Sequence, residues 1–363
     1  MPQRRQTRSF SIGGLPIGGG APVSVQSMAN VDPHDAAALS GQIARCAALG
    51  CDIFRLTVPD VDAAKVLGEV RKASPIPLVA DIHFDYRCAL AAIEAGVDAL
   101  RLNPGNIGAR DRVQTVVRAA KAHRTPIRIG VNFGSLEKEL DAKVRSGAMR
   151  VSEALCESAL GHLRILEDEG FRDVVISVKA SDVMTTLESY RLLSERTDCP
   201  LHLGVTEAGT LLPGTVRNSV ALGILLSEGI GDTIRVSLTA EPEREVRAGM
   251  EILRSLGMKP AGPAITSCPT CGRTKVNLFK VAAEVESALE AYALSHGGAG
   301  AAVLPRVAVM GCVVNGPGEA KGADVALCGA NGEFVLFVKG QNVGRVSESE
   351  AASKVMEYVV SIR

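Results

Sequence analysis

Residues 77–104, PLVADIHFDYRCALAAIEAGVDALRLNP, contain a complete strand–helix–strand unit. Pro77 to Phe84 is rich in β-formers, Arg87 to Ala95 has helical composition, and Gly96 stands where a left-handed residue closes a helix. A second β-rich run, Ala99 to Pro104, follows at once. The same alternation extends in both directions. The other runs are Pro22 to Met28, Asp52 to Val58, Pro126 to Phe133, Asp173 to Ala180, Pro200 to Glu207 and Thr233 to Thr239, and Asp35 to Leu49 is a further helical segment. Eight β-runs separated by helices predict a (β/α)8 TIM-type barrel. A doubly wound open sheet fits less well, because Ser27-Met28-Ala29-Asn30 after the first run lacks a glycine-rich phosphate turn.

The 363 residues are long enough for such a barrel plus a smaller unit. Leu256 to Pro263 is Gly/Pro-rich and suits a linker, which predicts a barrel over 1–258 and a small α+β domain over 259–363. In the second unit the pattern predicts a helix from Lys275 to Leu294, a Gly/Ala-rich stretch at 295–302 and a strand from Arg306 to Gly311. A hairpin-like pair through Val325 to Val338 and a helix over Glu348 to Val360 complete it. Forty basic residues balance forty acidic ones, so no global field attracts nucleic acid or an anionic membrane. Nine scattered cysteines suit a reducing compartment better than a disulfide scaffold. The basic start, Met1 to Arg8, precedes no apolar segment, and no run approaches the roughly 18 residues of a membrane helix. These features predict a cytoplasmic protein.

The strand ends of a parallel barrel carry its active site, and the interior is normally filled by aliphatic side chains. Here the runs carry Arg55, Arg101, Arg128, Lys179 and Arg235. Strand alternation puts Arg101 with Asn103, Arg128 with Asn132, and Arg235 with Ser237 on common faces. One such arginine is most simply a structural ion pair; five cations together fit a multiply anionic ligand. Asp81 and His83 share a face, and Glu207 closes the seventh run. Glu207 reads equally as a proton donor or as an ion-pair partner, while His83 and His202 read as satisfied core histidines.

The second unit opens on Cys268-Pro269-Thr270-Cys271, with Cys312 and Glu319 farther on in GCVVNGPGEA. Two cysteines three positions apart can present both sulfurs to one metal, and a third beside a Gly/Pro turn can close the site. Zinc and an iron–sulfur cluster both remain open on spacing, although the second cysteine pair of a zinc ribbon is missing. Glu319 follows a Gly-Pro-Gly turn and suits the fourth position better than Cys328, which reads as the thiol of a strand end. Cysteines 46, 51, 88, 156 and 199 read as small core residues. Two other readings remain: a barrel with a structural zinc module, and a non-redox barrel enzyme acting on phosphorylated sugars or pterins.

Taken in order, VQSM, FRLTVPD, ADIHFDYR, RLNPGN, RIGVNFGSL, SVKASD, HLGVTEAG, IRVSLT, SCPTCGR and MGCVVNGPGEA resemble the 4-hydroxy-3-methylbut-2-enyl diphosphate synthases of the methylerythritol phosphate route to isoprenoids. The resemblance spans the chain and is closest to the bacterial two-domain form. It implies reductive ring opening of 2-C-methyl-D-erythritol 2,4-cyclodiphosphate. It also implies a [4Fe-4S] cluster on Cys268, Cys271, Cys312 and Glu319, with Glu319 as a replaceable ligand. By the same resemblance Arg55, Arg101, Asn103, Arg128, Asn132, Lys179, Arg235 and Ser237 hold the diphosphate, and Glu207 donates a proton with Asp81 nearby. The resemblance further implies flavodoxin or ferredoxin as the electron donor and a homodimeric enzyme.

Overall fold

The computed structural model describes residues 3–108, 110–260, 265–295, 305–314 and 316–362. It divides into two compact units, Met1–Lys259 and Pro260–Arg363.

All eight β-runs of the first unit form parallel strands: Ser24–Met28, Ile53–Thr57, Leu78–Asp81, Ala99–Leu102, Ile127–Asn132, Val174–Lys179, His202–Leu203 and Thr233–Ile234. Each pairs with its neighbour in sequence, the eighth pairs with the first, and a bridge between Ile176 and Leu201 joins the sixth to the seventh. The ring is therefore a barrel. Val, Ile and Leu from the strands pack outward against the helices, where Cys46, Cys51, Cys88, Cys156 and Cys199 are also buried.

Strands seven and eight are shorter than the sequence pattern suggests. A side chain at Gly204 would place its Cβ 2.7 Å from the carbonyl of Arg235 and 3.0 Å from Lys179 Nζ, so the two chains approach more closely there than a regular ladder allows. Beyond Gly204 the backbone remains bonded only irregularly, as from Thr206 N to the carbonyl of Ala180.

Aspartates cap the helices that follow four of the strands. Asp35, Asp60, Asp85 and Asp182 accept from the N–H groups of Ala38, Ala63, Arg87 and Thr185 at 2.8–2.9 Å. Each satisfies an N–H that has no intrahelical partner, and together they fix the loops around the strand ends.

A hairpin not foreseen from the pattern, Ser9–Ile12 with Leu15–Gly18, lies at the other end of the barrel. Its turn uses Gly13 and Gly14 at φ 55° and 88°, the left-handed pair that a tight hairpin requires. Ile12 and Ile17 pack with Ile53, Val79, Ala99 and Val175, closing the barrel floor with apolar side chains.

The second unit is a five-stranded mixed sheet. Ile265–Ser267, Val307–Met310 and Val325–Ala330 are parallel; Glu333–Val338 and Gln341–Ser347 continue it antiparallel. The last strand is additional to the expected pair. Its polar, glycine-containing sequence gives little strand signal, and it is placed by a turn at Lys339 and Gly340, with φ 48° and 78°. Helices Leu278–Ser295 and Ala351–Ser361 cover one face through Val281, Val285, Leu289, Val355 and Val359. On the opposite face Ala308, Met310, Ala326 and Cys328 form a smaller cluster against Cys268. The expected stretch at 295–302 lies, beyond Ser295, outside the described residues.

Candidate active site: a cationic barrel mouth and a cysteine-bearing sheet end

The barrel encloses a cavity of about 180 Å³ at its carboxyl end. Arg55, Arg101, Arg128, Lys179 and Arg235 all line it, with Asp81, His83, Asn132 and Ser237. Strand alternation groups most of these residues correctly.

Asp81 is the carboxylate among the described lining residues. Its Oδ1 lies 3.1 Å from Arg101 Nη1 and its Oδ2 lies 3.5 Å from Arg55 Nε and 4.0 Å from His83 Nε2. Burial would push the Asp81 carboxyl up, but Arg55, then Arg101, His83 and Arg128, outweigh it and hold the group at about 2. Arg55 also donates to Met28 Sδ at 2.8 and 3.2 Å. Desolvation brings the Arg55 guanidinium down to about 10, with Asp81 opposing. Arg128 donates to Gln26 Oε1 at 3.3 Å; burial first, then Arg55 and Arg101, depress its pKa strongly, with Asp81 opposing. Lys179 is buried and has neither a carboxylate nor a hydrogen-bond partner among the described residues. Burial, followed by Arg235, Arg55, Arg128 and Arg101, pushes its ammonium well below the ordinary lysine range. The cavity is thus a preformed site with more positive charge than Asp81 and, behind Arg235, the buried Glu245 together neutralise.

Two expected residues are placed differently. Asn103 is buried, and its Oδ1 accepts from Gly105 N at 3.0 Å, capping the short helix Pro104–Ile107; it is not among the lining residues. Glu207 is exposed at the rim with φ 52°, an uncommon conformation for a residue with a Cβ, and Thr206 lines the cavity instead. Sequence reasoning missed Met28, Ser177 and Thr206 as lining residues, and it misplaced His83, which was expected in the core but is exposed and lines the cavity beside Asp81. Ser177 was discoverable, since it precedes Lys179 by two positions on the same strand face. His202 is core as expected but not fully satisfied: its Nδ1 contacts Thr233 Oγ1 while its buried Nε2 has no hydrogen-bond partner among the described residues, and burial, then the nearby Arg128 and Lys179, keep the ring neutral.

In the second unit, Cys268 and Cys312 follow two adjacent parallel strands and so emerge at the same sheet end. Cys268 Sγ accepts from Gly311 N at 3.2 Å. Thr270, at φ 66°, reverses the chain before Cys271, and the backbone N–H and side chain of Arg273 hold the exposed Cys271 thiol below its ordinary value. Cys328 differs. It is buried, a Cβ on Gly316 would come 2.9 Å from its sulfur, and burial, then the nearness of Cys312 and Cys268, pushes it up to about 11. Among the described residues no three His, Cys, Asp or Glu side chains are gathered closely enough to hold a metal ion; the side chain of Glu319 lies outside them. The donor chemistry nevertheless suits a thiolate-bound group: three free cysteines on two loops, one already receiving an N–H bond at sulfur.

No helix of the described chain is long and apolar enough to cross a membrane. Among solved structures, dihydropteroate synthase of Yersinia pestis matches 69% of this chain and 97% of its own, at 14% identity and a TM-score of 0.47. Sequence relatives are far nearer. The chain is 53% identical over 359 residues to the Geobacter sulfurreducens protein named 4-hydroxy-3-methylbut-2-en-1-yl diphosphate synthase (flavodoxin), covering 99% of this chain and 98% of that one. It is 51% identical over 357 residues to the Clostridium acetobutylicum protein of the same name, covering 98% and 99%. The GcpE TIM-barrel domain matches residues 7–250 and the GcpE protein C-terminal domain matches residues 264–361. With both units matched and half of the residues shared with such relatives over nearly the full length, the chain belongs to the GcpE family.

Proposed function

We propose that this chain catalyses the reaction for which its relatives are named, forming 4-hydroxy-3-methylbut-2-enyl diphosphate by two-electron reductive ring opening of 2-C-methyl-D-erythritol 2,4-cyclodiphosphate, with loss of water. The observation that carries this reading is the barrel cavity, where five cations face one carboxylate among the described lining residues. Two linked phosphates supply the missing negative charge. Arginine forks suit bidentate contacts to their oxygens, and Lys179 supplies a point charge. Asn132 and Ser237 add neutral hydrogen-bonding groups, and Asp81 orients Arg55 and Arg101. Asn103 contributes through the loop it caps. Glu207 is the proposed proton donor and reaches substrate from the rim.

A [4Fe-4S] cluster held by Cys268, Cys271, Cys312 and Glu319 would supply one-electron chemistry when bound. The barrel, 1–258, binds the diphosphate, and 259–363 carries the cluster. Flavodoxin is the reductant, in keeping with the names of the relatives, and the protein is a cytoplasmic homodimer. The Gly311 N–H supports Cys268 as a thiolate ligand, whereas burial beneath Gly316 supports a structural role for Cys328.

Anaerobic turnover of the cyclic diphosphate with an artificial reductant tests the assignment. Glu319→Ala and Glu207→Gln should each lose most activity; parental rates in both refute the roles given to them. Iron and sulfide content separates the cysteines: Cys312→Ser should lose the cluster and Cys328→Ala should retain it. A colourless protein with one zinc and no sulfide, after anaerobic purification, would overturn the cluster itself.

A further inference from the structure

Glu245, in the first turn of helix Pro242–Ser255, is only 4% exposed. Both its oxygens are fully engaged. Oε1 accepts from Arg235 Nη2 at 3.2 Å and Leu238 N at 3.0 Å; Oε2 accepts from Arg235 Nε at 3.3 Å and Ser27 Oγ at 2.8 Å. The carboxylate is anchored to the first strand and to the loop after the eighth, and it grips one edge of the guanidinium. The Nη1 edge of Arg235 is not used by this fork, and Arg235 lines the cavity.

We infer that Glu245 is the positioning residue that aims Arg235 at a substrate phosphate. This rests on the cavity being the diphosphate site. The geometry requires a carboxylate in particular. An amide would turn an N–H either toward Leu238 N and Arg235 Nη2 or toward Arg235 Nε, and none of these nitrogens can accept it. Glutamine therefore loses at least one contact to Arg235 in either orientation, while its volume stays the same.

The test measures KM and kcat for the cyclic diphosphate in the cluster-loaded enzyme with an artificial reductant. Glu245→Gln should raise KM roughly tenfold and leave kcat within about twofold, the pattern of lost uniform binding. In an Arg235→Ala background the same replacement should add nothing to KM. A parental KM in Glu245→Gln, or a further rise in the Arg235→Ala background, overturns the inference and leaves the cationic site standing. A parental KM in Arg235→Ala itself overturns the phosphate-binding role of Arg235 and this inference with it. If the glutamine variant does not fold, Glu245→Asp replaces it: shorter by one methylene, it too must raise KM, and a parental value refutes the assignment.

Discussion

The floor and the mouth of the barrel are built from the same strands, two residues apart. Ile53, Val79, Ala99 and Val175 face the apolar hairpin plug; Arg55, Asp81, Arg101 and Ser177, two positions on, line the polar cavity. A two-residue step along a strand keeps the inward face and advances by roughly 7 Å. Within that distance the environment changes from aliphatic packing to clustered charge. The floor gains stability from burial, whereas the mouth holds like charges together at a cost to stability. Substitutions at the two levels should therefore have opposite signatures.

The largest effect is expected at Asp81, the carboxylate among the described lining residues that offsets the cations. Asp81→Asn leaves Arg55 and Arg101 buried without their counter-charge and should cost about 3–4 kcal/mol in urea unfolding, besides impairing turnover. A loss below about 1 kcal/mol would mean that solvent, rather than Asp81, balances these arginines.

Lys179 should behave in the opposite sense. Its depressed pKa means that folding disfavours the charged form, so at neutral pH the group opposes folding. Lys179→Met should lower kcat/KM on the order of 10²-fold, about 2.7 kcal/mol, while Tm holds or rises. A fall in Tm together with unchanged kinetics would make Lys179 a structural residue and break the contrast.

Much of this division was legible in sequence. Period-two alternation paired Arg101, Arg128 and Arg235 with Asn103, Asn132 and Ser237 on common faces because strand geometry fixes that alternation regardless of tertiary context, and the clustering of five cations pointed those faces inward. Asn103 followed the same rule on paper, and Glu207 was placed only at the end of its run; both sit beyond the regular ladder, where helix capping and a left-handed φ redirect the side chain. Glu245 gave no signal, since it lies on a helix and reaches the site through Arg235, with Ser27 and Leu238 N anchoring it. The floor hairpin was hidden for another reason: its strands are four residues each, and its glycines resemble a linker until they are seen as a paired left-handed turn.

The floor is sharpened by Ile17→Ala. Ile17 is 1% exposed at the centre of the plug, and its truncation should cost about 2–3 kcal/mol through lost burial and residual cavity. At a temperature where the variant stays folded, kcat and KM should match the parent. A change in KM would show that floor packing sets the arginine positions above it.

The smallest effect isolates the charge balance through pH. Asp81 has a folded pKa of about 2, below its ordinary value of 3.8, so its ionised form stabilises the fold. That contribution is complete above the unfolded pKa, declines as pH falls below it, and is lost through the folded pKa; the shift corresponds to about 2 kcal/mol. Other carboxylates titrate in the same range, but they are common to the parent and Asp81→Asn. The stability gap between those two proteins, followed by urea unfolding from about pH 5 to about pH 2.5, should therefore narrow steadily toward the acid end. A constant gap would mean that the Asp81→Asn variant loses packing or geometry rather than charge. The mouth would then be held together in the same way as the floor.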